Sequence, residues 1–340
     1  MASDELMLAT VRVARGMTQA SLAKASGVSQ ATLSKVESGV VQLDATRMAA
    51  VAKELGALPE LLEQPADFAG AHAVVFHRKR ASLPVSAANR LRSTLDLTHL
   101  QVGALLAQSA TVRVTRTPLP DDGYVTPEEV AQQVRRDLGV AGGPIANLVS
   151  VLESAGVAVV RRDLGSVKVD ALMSWPPGAR PLVLLGEHAP GDRQRFSMAH
   201  ELGHAVMHDV PRDDQEAEAD RFASELLMPR ADISSQLRDV SLARLARLKQ
   251  EWGVSMAALL RRSRDLGEIG DFQYRRLNIE LSQAGYRTRE PVEIPVEVPR
   301  LIECRVRDLL ANGATVADLA QLTWMTEDDF RRTYLWEDAA

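Results

Sequence analysis

With one cysteine, Cys304, in 340 residues, the chain can form no intramolecular disulfide and no zinc site built on several thiolates. Metal ligands must therefore come from histidine and carboxylate. Aromatic residues make up only 4%, which leaves the cores to Leu, Val, Ala and Met. No run approaches the roughly 20 apolar residues that span a bilayer. The N-terminal stretch MASDELMLATVR is acidic and has no apolar segment, unlike a signal peptide. A net charge of −5 gives no chain-wide basic surface, so any contact with nucleic acid must be local. These absences, with 46% apolar and 25% charged residues, point to an ordinary cytoplasmic chain of two or three domains with no membrane partner.

Four regions follow one another. Residues 4 to about 64 carry apolar positions at helical spacing, broken by short polar or glycine turns. A helical connector at about 65–117 contains His77-Arg78-Lys79-Arg80 and a leucine-rich stretch from Leu91 to Leu106, and Thr117 to Gly123 reads as a linker. Thr126-Pro127-Glu128-Glu129 then predicts a capped helix start. Short apolar runs at Val157 to Val160, Val169 to Trp175 and Leu182 to Leu185 predict strands. Helices are expected from about Gln194. Prolines at 291, 295 and 299 exclude a helix there and predict a rigid extended linker into a helical tail at about 299–337.

His200-Glu201-Leu202-Gly203-His204 carries the chemistry. Residues i and i+4 share a helix face, so both imidazoles can point at one ion, and Glu201 stands beside the first ligand as a base for an attacking water. Two histidines and a glutamate also occur together by chance, so a third ligand decides the matter. After Pro211, Glu216-Ala217-Glu218-Ala219-Asp220 opens another helix. Glu216 is preferred as third ligand over Glu218, because only Glu216 pairs at i, i+4 with Asp220. Asp220 could then accept a hydrogen bond from a ligand histidine and fix its tautomer. Such a set favours Zn2+, one per chain, with a coordination position left open. His208, one turn beyond His204, is either a helix-end histidine near the last carbonyls or a candidate transition-state stabiliser. It is not a third histidine ligand, since the longer three-histidine motif needs histidine at 210, which is Val210.

The run Arg195 to His204, followed by Glu216 to Ala223 and Leu226-Leu227-Met228-Pro229, resembles the ImmA/IrrE family of bacterial metallopeptidases over roughly residues 125–270. The resemblance implies a gluzincin-like site and a small sheet before the site helix. The strand from Pro181 to Glu187 is then a candidate for holding an extended peptide by strand addition.

Thr18 and Ser29 read as helix caps on either side of a Gly27-Val28 turn, the pattern of a helix-turn-helix. The run from Gln19 through Leu22, Ala23, Gly27-Val28-Ser29, Leu33-Ser34 and Glu37 to Gly39 closely resembles the Xre/Cro repressor module. By that resemblance Gln30, Ala31 and Thr32 face base edges, with Gln19, Ser34 and Lys35 near phosphates. Residues 1–64 hold six Lys/Arg against seven Asp/Glu, a low charge for a DNA binder, so docking on a similar repressor is the other reading. Arg78-Lys79-Arg80, with Arg90 and Arg92, could add phosphate contacts. Arg261, Arg262 and Arg264 read as structural, and Cys304 as a core residue.

The expected fold class is multidomain and mainly α. An all-α helix-turn-helix domain (1–64) leads through a connector (65–123) to an α+β gluzincin-like metallopeptidase domain with a small sheet (124–288) and a helical C-terminal region (289–340). The implied function is a zinc-dependent, site-specific endopeptidase that regulates transcription by cleaving a helix-turn-helix repressor, with DNA as a second partner and a homodimer as the usual state of such modules. A DNA-binding regulator that senses a signal without proteolysis, and a general peptidase, are the rival readings.

Overall fold

Among the described residues, three hydrophobic cores, two of them on opposite faces of one small sheet, organise the chain. The computed structural model describes residues 6–69, 83–109, 112–120, 123–165, 169–210 and 212–335. The run His77 to Arg80, Asp121-Asp122 of the expected linker, and Pro211 lie outside the described residues.

The first five helices, α1 (Met7–Ala14), α2 (Gln19–Ser26), α3 (Gln30–Glu37), α4 (Ala45–Leu55) and α5 (Pro59–Leu62), enclose a core that includes Leu8, Leu22, Leu33 and Leu61. The expected caps form: the side chains of Thr18 and Ser29 accept from the Ser21 and Thr32 amides, and Gly27 makes the turn at φ 71°. Helix α6 (Val85–Leu105) is shared. Its Leu97 belongs to the N-terminal core, while Leu91, Leu95 and Val102 pack on the sheet.

The next elements are α7 (Pro127–Asp137), which starts with the expected Thr126–Glu129 capping box, α8 (Leu148–Ser154), β1 (Ala158–Arg162), β2 (Ala171–Ser174) and β3 (Leu182–Gly186). Strand order is β1-β3-β2, parallel to β1 (Ala158 opposite Leu182) and antiparallel to β2 (Ala171 opposite Leu185). Side chains alternate between the two faces: Val183 and Leu185 enter the core beneath the site helix, Leu182 and Leu184 the core shared with α6. This order corrects the expectation for Pro181 to Glu187. β3 is central and paired on both sides, so its backbone groups are already used and strand addition must take an edge strand.

Helices α9 (Gly191–Met207), α10 (Gln215–Leu227), α11 (Arg230–Ile233), α12 (Leu242–Trp252), α13 (Met256–Asp265) and α14 (Asp271–Gln283) complete this domain. The tail consists of α15 (Leu301–Ala311), α16 (Val316–Leu322) and α17 (Glu327–Tyr334). It packs on α6 and the sheet and also touches the N-terminal domain, where Arg15 pairs with Asp329 and the Leu58 amide donates to Trp324 O at 3.0 Å. Cys304 is exposed rather than in the core, because α15 turns Ile302 and Val306 inward instead. Arg262 is buried against Glu225, as a structural arginine would be. Among the described residues no helix is long and apolar enough to cross a membrane.

Two segments read as linkers are packed parts of the domain. In residues 112–120 the amides of Thr117 and Leu119 donate to Val206 O (2.9 Å) and Met207 O (3.0 Å), satisfying carbonyls that the end of α9 leaves open. In residues 289–299 the chain is extended, as the prolines require, but Glu290 pairs with buried Lys249 at 2.8 Å and Glu297 pairs with buried Arg195. Inside α9 two glycines mark close approaches. A Cβ on Gly191 would collide with the Ile294 and Pro295 carbonyl oxygens, and one on Gly203 would lie 2.9 Å from Phe222 Cδ1 of α10. Gly203, in the interior of α9, costs the helix about 1 kcal/mol relative to alanine, offset by the close approach of Phe222 that it permits. Gly203→Ala is therefore expected to destabilise the domain by about 1–3 kcal/mol through overpacking, read as a lowered denaturant midpoint; an unchanged or raised midpoint would contradict the close fit.

Candidate metal centre

The crossing of α9 and α10 brings two histidines of one helix, and a third just past its end, against three carboxylates of the other. His200, His204 and His208 are spaced i, i+4, i+8, while Glu216, Glu218 and Asp220 open α10. His200 Nε2 and His204 Nε2 face each other at 3.0 Å, with the rings edge to face. The Glu216 carboxylate reaches both, 3.7 Å from His200 Nε2 and 3.6 Å from His204 Nε2. Donor atoms of these three residues lie within 4.8 Å of one another, a span that one ion with bonds of about 2.0–2.3 Å can bridge.

The chemistry of this set fits a divalent cation. Asp220 Oδ1 lies 2.9 Å from His200 Nδ1, which places the neutral ring's proton there and leaves Nε2 as a lone pair. Two lone-pair nitrogens at 3.0 Å repel unless a cation stands between them, and without metal that cation is a proton. Burial opposes charge on His200, but hydrogen bonds to Asp220 and Glu216, with the nearby Glu201 charge, outweigh it and raise its pKa to about 9. Glu201 is buried one residue along α9 from His200.

Glu218, the other carboxylate weighed as third ligand, does something else. It sits 2.9 Å from His208 Nε2, and His208 Nδ1 in turn lies 3.0 Å from His204 Nδ1. His208 therefore stands behind His204, fully buried, and not at the reacting face that a transition-state stabiliser would occupy. Burial lowers its pKa despite the Glu218 hydrogen bond. Sequence reasoning noticed His208 and Glu218 but not their contact; the signal was the continued i+4 spacing of histidines.

A cleft of about 1550 Å³ opens beside the centre, between the N-terminal half of α9, the outer face of α10, α13, α14 and residues 286–296. Arg193, Phe196, Asp220 and Arg221 line it, whereas the three convergent residues do not. The cleft thus meets the centre at Asp220, on the far side of His200 from its Nε2.

In the N-terminal domain Gln30, Ala31, Ser34 and Lys35 are exposed on α3, and Thr32 is half-buried with its hydroxyl 2.8 Å from Ser29 Oγ. The amide of half-buried Gln19 donates to buried Glu37 at 2.7 Å. Arg90 packs over Gly16 and Gly165, filling the space between domains in place of the surface role read from sequence.

The raised His200 pKa sets a pH dependence. The folded value of about 9 lies above the ordinary 6.5, so the stabilisation by charged His200 is complete below pH 6.5 and is lost as pH rises through 9. Metal-free protein should melt at progressively lower temperature from about pH 7 to 9.5, and zinc uptake in that window should release a proton. Calorimetry in buffers of different ionisation enthalpy reads the proton. No release, with a flat melting profile, would contradict the pairing.

Residues 152–264 match the family model of the IrrE N-terminal-like domain, a peptidase family, and residues 8–62 match a helix-turn-helix model. A search of curated proteins gave no match. The matched segments contain β1 to α13 with the α9–α10 crossing, and α1 to α5 respectively. The chain thus joins an N-terminal helix-turn-helix domain, a DNA-binding fold, to a metallopeptidase-like domain of the ImmA/IrrE kind.

Proposed function

We propose that the protein is a zinc-dependent endopeptidase that regulates transcription by cleaving a repressor-type protein, with its helix-turn-helix domain bringing it to DNA. The observation that carries the reading is the convergence of His200, His204 and Glu216 beside a buried Glu201. When bound, zinc would supply Lewis-acid polarisation of the scissile carbonyl and acidification of a water. Glu201 takes the proton from the attacking water on its carboxylate and delivers it to the leaving amine. Asp220 holds the His200 ring in its Nδ1–H tautomer. An extended peptide would add to an edge strand of the sheet.

The repressor substrate and a role in stress response or mobile-element control are supported by the family kinship and the fused DNA-binding fold alone. Glu201→Gln should retain metal and abolish cleavage. Comparing the proteome of cells carrying wild type or Glu201→Gln should reveal one protein cut only by wild type; broad degradation of unfolded proteins such as casein would favour a general peptidase.

The packing of the two domains favours a second reading, in which occupancy of the centre is sensed by the helix-turn-helix without proteolysis. α6 is common to both cores, and Arg15 is paired with Asp329. An unchanged regulatory phenotype for Glu201→Gln would select that reading.

On α3, Lys35→Ala should weaken DNA binding evenly across sequences and lower the salt slope by about 1, while Gln30→Ala should relax sequence preference. Titrations at several salt concentrations test both; equal binding by all three proteins would remove DNA contact by α3.

A further inference from the structure

We propose that His208 and Glu218 are positioning residues for the metal ligand His204, holding its Nε2 lone pair towards His200 and so setting the affinity of the centre for metal. The inference rests on the reading of His200, His204 and Glu216 as ligands, and adds how one of them is aimed.

The argument follows the protons. A carboxylate only accepts, so His208, 2.9 Å from Glu218, donates to it from Nε2. A ligand histidine that offers Nε2 to a metal carries its own proton on Nδ1. His204 then donates that proton across the 3.0 Å gap to His208 Nδ1. The chain from Glu218 through His208 to His204 has one polarity, and it ends at the atom that faces His200 Nε2.

Burial makes this polarity hard to replace. The side chains of His204 and His208 are 3% and 0% exposed, so water has no ready access to stand in for a missing acceptor. Asp220, the partner of His200, is 49% exposed, and solvent can replace it there. The surroundings fix His208 in place. Its amide donates to His204 O at 3.0 Å, and residues 112–120 bond to the Val206 and Met207 carbonyls just before it. Arg212 donates to Leu119 O at 2.7 Å and stands 4.0 Å from Glu218. α9 thus ends at the point where its next side chain turns back on a ligand. Groups that orient a ligand histidine commonly contribute about 10–100-fold to metal affinity.

The test compares the full-length wild type with His208→Leu, His208→Gln and Glu218→Ala, measuring zinc affinity by chelator competition and the visible spectrum of the cobalt(II) form. His208→Leu strips the acceptor from His204 Nδ1 and should weaken affinity by about 10–100-fold, with an altered cobalt spectrum. His208→Gln can accept from His204 and donate to Glu218, so it should recover most of that loss. A purely packing role would not separate Leu from Gln in this order. Should His208→Leu not fold, Glu218→Ala, at the more exposed end of the chain, carries the comparison and should lose about 10-fold. Affinities equal to wild type in all variants, or equally reduced for Leu and Gln, overturn the inference while leaving the metal centre intact. A wild type that takes up no metal overturns the reading of the centre itself.

Discussion

Everything in the metallopeptidase-like domain depends on keeping two imidazole nitrogens 3.0 Å apart with their lone pairs face to face. Left alone, such a pair would separate or take up a proton, so the fold must hold the helix that carries them. It does so at three places. Near its start, α9 lies under the 289–299 strap, which is anchored by Glu290 on Lys249 and Glu297 on Arg195. In the middle, Gly203 lets Phe222 of α10 approach to contact. At its end, residues 112–120 take up the open carbonyls. The strap's ion pairs are buried, where losing one partner leaves an uncompensated charge, so they fix position more strongly than surface pairs would.

What could be read from the sequence is what a single helix or turn encodes. The i, i+4 histidines, the Thr126–Glu129 capping box, the Gly27 turn and the short apolar strand runs are local patterns, and each has a counterpart in the fold. What could not be read depends on contacts far along the chain. Nothing local says that β3 is central, because an apolar run of five residues fits either position. Proline-rich 289–299 has linker composition, and only its carboxylates meeting Lys249 and Arg195 make it part of the domain. His208 was legible as a residue and illegible as a relay, because Glu218 lies across a helix crossing. Cys304 shows the converse: composition favoured burial, while the face that α15 presents to its neighbours left it exposed.

The low charge of the N-terminal module has a structural counterpart. Arg12 and Gln19 both bind Glu37, and Arg15 binds Asp329, so polar groups that could meet phosphate are tied up inside the protein. Exposed Gln30 and Lys35 remain on the α3 surface proposed to meet a duplex. Binding that rests on few phosphate contacts would be weak and less sensitive to salt. In such a module the docking against α6 and the tail can matter as much as the DNA face, since any shift of α6 is felt in both cores.

The three carboxylates of α10 show how one crossing divides its labour. Glu216 meets both His200 and His204, Asp220 meets His200 from solvent, and Glu218 meets His208 from within. Spacing of two residues sends successive side chains to nearly opposite sides of a helix, which by itself would leave Glu218 without a histidine. The histidines themselves resolve this, because His208 sits where α9 has ended, in extended backbone at φ −116°, and its ring reaches round to Glu218. A regular helix through residue 208 would keep that imidazole on the line of His200 and His204, competing for the metal face. Ending the helix there turns that imidazole back onto His204 instead.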